Sequence, residues 1–248
     1  MKYFRAAWRM FLFFGLTFGI YALWYIGAFF IPNKQYWRQL IFRHWGRGFV
    51  RLAKVNIKVI GTPPRPPFFL VSNHLSYTDI PVIRAVVEGV YVAKKDIESW
   101  FLAGTMIRNI GNIYINRENK RDIPRAGLEI LGALERGEGV IVFPEGTSTK
   151  GETVLPFKSS FFEFAAKSDL PVHYAAISYQ TAQDELPPSV SVCWWDDTPL
   201  GEHLWRFFQL KEVDVLINFG EQPIHSQDRK ELANELRDAV REKFIPVL

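Results

Sequence analysis

The chain reads as an α/β protein: a single, mostly parallel sheet flanked by helices, with an N-terminal membrane-anchoring two-helix segment. Three observations predict this. From residue 55 onward short apolar runs alternate with helical stretches, the pattern of strands covered by helices. Met10–Ile31 is an uncharged run of 22 residues, long enough as a helix to match a bilayer core. Residues 36–55 place aromatic and basic side chains on opposite sides of a helical wheel. The expected division is a membrane-anchoring segment over 1–54 and an α/β domain over 55–248.

Composition sets the bounds. A chain of 248 residues, 48% hydrophobic, can bury one large core. Its one cysteine, Cys193, excludes an intramolecular disulfide and a cysteine-rich zinc site. The formal net charge of +4 conceals an asymmetry. Residues 1–78 carry eleven Lys or Arg and no acid, while residues 79–248 carry the other nineteen bases and all twenty-six acids, a net of −7. Such a basic arm suits an anionic surface. Joined to an apolar helix and accompanied by no nucleic-acid motif, it points to lipid headgroups.

The Met10–Ile31 run is too long for a signal-peptide core, and no small-residue cleavage pattern follows it. Lys2, Arg5 and Arg9 precede it, and the heavier cluster Lys34, Arg38, Arg43, Arg47 and Arg51 follows. A spanning helix with those flanks keeps the C-terminal bulk cytoplasmic. Basic residues at both ends equally suit a helix that dips into one leaflet and returns. On the next helix Trp37, Ile41, Trp45, Phe49 and Leu52 face one way, and Arg43, Arg47, Arg51 and Lys54 the other. That arrangement predicts a helix lying in the membrane interface, against the alternative of a surface helix packed on the core.

Thr62–Pro67 is a stiff proline-rich connector after a short strand, Val55–Ile60. Further strands are expected at Gly89–Ala93, Asn112–Asn116, Val140–Phe143, His173–Ser178, Val190–Trp194 and Val213–Phe219. Helices are expected at Ile80–Val87, Ser99–Ile107, Ile123–Arg136, Phe161–Lys167 and Asp228–Lys243.

Three stretches can carry chemistry. In Phe68–Asp79 an apolar strand opens at Ser72-Asn73-His74, and Asp79 follows the imidazole by five residues, with Thr78 or Asp79 as a helix-capping candidate. A histidine near neutral pKa can take a proton from a hydroxyl, and a carboxylate on its other nitrogen fixes the tautomer. Taken alone, that spacing also describes a loop cap followed by a helix N-cap. Gly111–Arg117 is a strand that ends in an arginine, whose planar fork of donors matches a phosphate. Gly139–Ser148 is a buried strand broken at Pro144, which leaves Glu145-Gly146-Thr147 at the strand's C-terminal edge, where open α/β sheets hold ligands. No Gly-x-Ser-x-Gly elbow or Gly-x-Gly-x-x-Gly loop occurs, and the five histidines (44, 74, 173, 203, 225) show no metal-ligand spacing. Direct attack by a substrate hydroxyl, with histidine as base, is what remains.

Together, Asn73-His74 with Asp79, Gly111–Arg117 and Phe143-Pro-Glu-Gly-Thr147 resemble the glycerolipid acyltransferase family, typified by 1-acylglycerol-3-phosphate acyltransferase. Lys94, after the next strand, and Lys158, in Leu155-Pro-Phe-Lys158, are weaker family-like features. The resemblance covers roughly residues 55–220 together with the anchor. It implies that His74 deprotonates the free hydroxyl of a lysolipid while Asp79 orients the ring. The alkoxide then attacks an acyl thioester, acyl-CoA or acyl carrier protein, with no acyl-enzyme intermediate, metal or other cofactor. Arg117, Glu145, Gly146 and Thr147 would bind the acceptor, with Lys94 and Lys158 as further contacts.

Many members follow Gly-Thr with Arg-Ser, whereas this chain reads Gly146-Thr-Ser-Thr-Lys-Gly151, similar to the lyso-ornithine-lipid acyltransferase branch. The expected acceptor is 1-acyl-sn-glycerol-3-phosphate, giving phosphatidic acid; a lyso-ornithine lipid or another lysophospholipid is the alternative. A phospholipid transacylase and a non-catalytic membrane-binding protein are the competing functions. The expected location is the cytoplasmic face of a bacterial inner membrane.

Overall fold

The computed structural model describes residues 1–95, 111–115 and 122–247. The expected helix Ser99–Ile107, Asn116 and the candidate Arg117 lie outside the described residues.

The apolar run belongs to a longer helix, α1 (Lys2–Phe30). Asn33 caps α2 (Lys34–Ala53), its side chain accepting from Tyr36 N at 2.9 Å, and Lys54 ends α2 in the left-handed conformation. The strands are β1 (Val55–Ile60), β2 (Phe68–Ser72), β3 (Val90–Lys94), β4 (Ile113–Ile115), β5 (Gly139–Val142), β6 (Val172–Gln180) and β7 (Val213–Phe219). The later helices are α3 (Asp79–Val86), α4 (Asp122–Glu135), α5 (Glu163–Lys167), α6 (Pro188–Ser191), α7 (Leu200–Phe208) and α8 (Arg229–Lys243). A 3-10 turn, Ser159–Phe162, leads into α5.

The described strands form one sheet in the order β1-β7-β6-β2-β5-β3-β4, parallel except between β6 and β7. β2 is central, and all five of its residues are buried, as an uninterrupted apolar run with helices on both faces should be. The chain leaves β2 across β5 towards β3, but leaves β5 across β2 towards β6. The C-terminal ends of β2 and β5 therefore open a crevice of the kind that binds ligands in open α/β sheets.

Two expectations are corrected. Val190–Trp194 is no strand: Pro187 and Pro188 start the short helix α6, and Val192 and Cys193 are buried in the loop after it. The apolar face of α2 does not lie in a membrane interface, because α1 covers it. Trp37 donates to Trp24 O at 3.1 Å, Trp45 to Thr17 Oγ1 at 3.2 Å, and Phe13 meets Phe49 edge-on at 5.8 Å. A Cβ at Gly27 would come within 2.2 Å of the Trp37 indole, so only glycine lets the two helices approach here. On the basic face Arg43 pairs with Glu88, and Arg38, beside the apolar face, pairs with Glu138. α1 carries an outward row of exposed apolar side chains, Phe4, Trp8, Phe11, Phe14, Phe18 and Phe29.

Phe49 is the keystone of this packing, 2% exposed and in ring contact with Phe13, Phe207 and Phe208. Phe49→Ala should lower stability by about 3–5 kcal/mol, read from denaturant unfolding in detergent. A loss within the range of a surface substitution would mean that α1 and α7 do not pack there.

Candidate active site

The end of β2 is pinned by its own side chains. Asn73 Oδ1 accepts from Ile177 N at 2.8 Å and its Nδ2 donates to Ile177 O at 2.9 Å. The amide thus replaces a rung of sheet pairing and frees the main chain to turn. His74 leaves that turn and its imidazole stacks on Phe143 from the end of β5, centroids 4.1 Å apart and planes 12° from parallel.

Asp79 stands at the first position of α3, yet its carboxylate turns back into the loop. Oδ2 accepts from His74 Nδ1 at 2.7 Å, Leu75 N at 2.7 Å and Ser76 N at 3.0 Å. Oδ1 accepts from the Tyr179 hydroxyl at 2.7 Å. The capping expectation is corrected accordingly: Thr78 makes no side-chain cap bond, and its hydroxyl donates to Tyr179 at 3.3 Å. Asp79 is fully buried while the His74 side chain keeps 20% of its surface. With Nδ1 donating to the carboxylate, Nε2 keeps its lone pair, the arrangement a general base requires. Burial drives the Tyr179 pKa well upward, so this hydroxyl stays a donor.

Glu145, also buried, joins the two motifs. Its Oε1 accepts from His74 N at 2.7 Å and its Oε2 from Leu155 N at 2.8 Å. Glu145 thus braces the histidine turn through two main-chain amides, one on each oxygen. Gly146 adopts φ 79°, a left-handed conformation that closes the turn through its N–H to Phe143 O at 3.1 Å. Thr147 is exposed beyond it, and Thr149 N donates to His74 O at 3.0 Å. Lys94 is exposed at the last residue of β3, and Lys158, also exposed, anchors its N–H on Pro144 O at 2.9 Å. The structure thus unites His74, Asp79 and Glu145 in one network. Thr147, Lys94 and Lys158 stand on its periphery.

Tyr179 is the participant that sequence reasoning missed. It lies 100 residues from Asp79 in the chain and no local motif marks it.

Comparison with known proteins gives the class. The Acyltransferase family model matches residues 54–178. The chain is 33% identical to the lyso-ornithine lipid O-acyltransferase of Pseudomonas aeruginosa, over 82% of its own length and 78% of that protein's. It is 30% identical to the 1-acyl-sn-glycerol-3-phosphate acyltransferase of Neisseria meningitidis, over 79% and 77%. In fold it matches the crystal structure of the 1-acyl-sn-glycerophosphate (LPA) acyltransferase PlsC from Thermotoga maritima. That match has a TM-score of 0.67, 20% identity and 98% of each chain covered. The chain belongs to the acyltransferase family. Its reaction class is O-acyl transfer.

Desolvation raises the Glu145 pKa to about 7, against the two amides, which favour the ionised form. A carboxyl raised in the fold stabilises the protein fully below its ordinary value near 4.5, and that stability is lost as pH rises through 7. The loss is on the order of 3 kcal/mol. Unfolding followed from acid to neutral pH should show it in the wild type, and Glu145→Gln should flatten that slope. Parallel pH profiles for the two proteins would refute the assignment.

Proposed function

We propose that this protein transfers a fatty acyl group from an acyl thioester, acyl-CoA or acyl carrier protein, to the free hydroxyl of a lysolipid, with His74 and Asp79 as the catalytic dyad. The observation that carries the reading is the 2.7 Å contact between His74 Nδ1 and a buried carboxylate already saturated by other donors. The hydroxyl proton passes to His74 Nε2 as the oxygen attacks the thioester carbonyl. The tetrahedral intermediate collapses with loss of the C–S bond, and the imidazolium returns the proton to the leaving thiolate. Asp79 holds the ring and stabilises the cation that forms between the two steps. No residue is acylated, and in this reading no metal is required.

The acceptor reading rests on the family resemblance. Arg117, with Lys94 and Lys158, supplies the cations for the phosphate of 1-acyl-sn-glycerol-3-phosphate, and Gly146 and Thr147 approach its glycerol. One observation favours a lyso-ornithine lipid instead. Ser148 occupies the place where many relatives carry arginine, and its hydroxyl donates to Trp194 O, so that position holds no cation for a phosphate.

Membrane anchoring belongs to the same reading, on the cytoplasmic face. α1 is the one helix among the described residues long and apolar enough to cross a bilayer, with mean hydropathy 1.7. Yet Arg9 near its start donates to Leu210 O of the α/β domain at 2.6 Å, and near its end Trp24 O accepts from Trp37 of α2. In this reading α1 lies against one leaflet beside the domain and does not cross.

His74→Ala should abolish acyl transfer with membrane binding intact, and Asp79→Asn should cost about 10⁴ in rate, by analogy with triad carboxylates. The assay is purified full-length enzyme with both acceptors and each donor, a diacyl phospholipid donor testing for transacylation. Normal turnover by His74→Ala would sink the mechanism. A protease site placed at Met1 should be cut from the same side as one at the C-terminus; protection on the opposite side would mean a true span.

A further inference from the structure

His203 is a buried titratable group that the reaction above does not use. It lies on α7 and is 1% exposed. Its Nε2 is 3.0 Å from Cys193 O, and a carbonyl can only accept, so Nε2 carries the proton. Nδ1 then bears the lone pair and accepts from the Tyr77 hydroxyl at 3.0 Å. Burial lowers the His203 pKa, in keeping with the neutral tautomer. The Tyr77 ring stands edge-on to both Trp194 and His203, with each pair of centroids 5.5 Å apart.

Tyr77 lies inside the turn that joins His74 to Asp79, so whatever holds Tyr77 also holds the dyad. The neighbouring main chain is fastened to the same region, as Trp194 N donates to Leu75 O at 2.9 Å. α7 in turn is immobilised on the anchor. Phe207 and Phe208 pack against Phe49, and the carbonyls just beyond α7 accept from Arg5 and Arg9 of α1.

We propose that His203, through its hydrogen bond to Tyr77, is a positioning residue for the His74–Asp79 turn, and ties the catalytic loop to the helix that grips the membrane anchor. The argument is geometric. Asp79 meets three donors of that turn with one oxygen, so sliding the turn disturbs all three at once. A displacement of about 1 Å at a reacting group costs about 10²-fold in rate. The inference rests on the reading of His74 as the base. It predicts an effect on turnover and not on substrate binding.

The test uses the full-length protein in mixed micelles with an acyl-CoA and both lysolipid acceptors. Tyr77→Phe keeps the ring and removes only the hydroxyl; His203→Leu removes the acceptor; His203→Asn keeps an acceptor near the place of Nδ1. Tyr77→Phe and His203→Leu should lower kcat about 10- to 100-fold with KM changed less than about two-fold. His203→Asn should recover most of the rate, and the double variant should be no slower than the worse single, as expected for one shared interaction. Tyr77→Phe with unchanged kcat, a loss expressed mainly in KM, or losses that multiply in the double variant would each overturn the proposal. If His203→Leu does not fold, Tyr77→Phe decides alone, assayed below its measured thermal midpoint. His74→Ala run in parallel separates the two failures. An active His74→Ala removes the base itself, whereas an inactive one beside a fully active Tyr77→Phe removes only the positioning role.

Discussion

The structure depends on one carboxylate. Asp79 is fully buried, and an isolated charge in that place would be costly enough to neutralise itself. Four donors remove the penalty: two amides of the preceding turn, the His74 ring and the Tyr179 hydroxyl. Because three of them converge on one oxygen, the turn from His74 to Asp79 is fixed as a unit. The same contacts set the tautomer of His74 and leave Nε2 as the basic atom.

Each neighbouring strand contributes to holding that turn. β6 offers Ile177 to Asn73 and Tyr179 to Asp79; just beyond β5 come Phe143, on which the imidazole stacks, and Glu145, which takes the His74 amide. The central place of β2, between β5 and β6, is what brings these groups together. The sheet order therefore does chemical work: with β2 at an edge, one of the two supports would be missing. Glu145 ties the histidine turn to the loop that follows β5, one oxygen on His74 N and the other on Leu155 N.

Much of this was legible in the sequence, and the gaps have physical causes. Buried strands such as β2 and β5 are unbroken apolar runs bounded by turn residues, so their type and approximate limits could be read directly. The link from His74 to Asp79 is local and needed only a turn. Tyr179 comes from a distant strand, and a tyrosine at the end of an apolar run carries no mark of its partner. At 190–194 the apolar run predicts a strand, but Pro187 and Pro188 start a short helix and leave Val192 and Cys193 buried in the loop after it. α7 went unseen although His203, Leu204, Phe207 and Phe208 share one face at helical spacing; nine residues give that period little room. For α2 the amphipathic pattern was real, and only the identity of the covering surface was missed.

That last point bears on the anchor. A wheel with an apolar and a basic face looks the same whether the apolar face meets lipid or another helix, and charge counting cannot separate the two. Tertiary contacts can. Arg5 and Arg9 would count as a topogenic flank for α1, but both donate to main-chain carbonyls just after α7, inside the α/β domain. A crossing helix would have to give up those bonds and its packing against Trp37, Trp45 and Phe49, and then place two guanidiniums on the far side of the bilayer. In the proposed placement along one leaflet, α1 would keep every contact and still offer lipid its outward row of phenylalanines. Arg5 and Arg9 thus bind the fold itself, and the proposal requires one side of α1 to stay committed to protein.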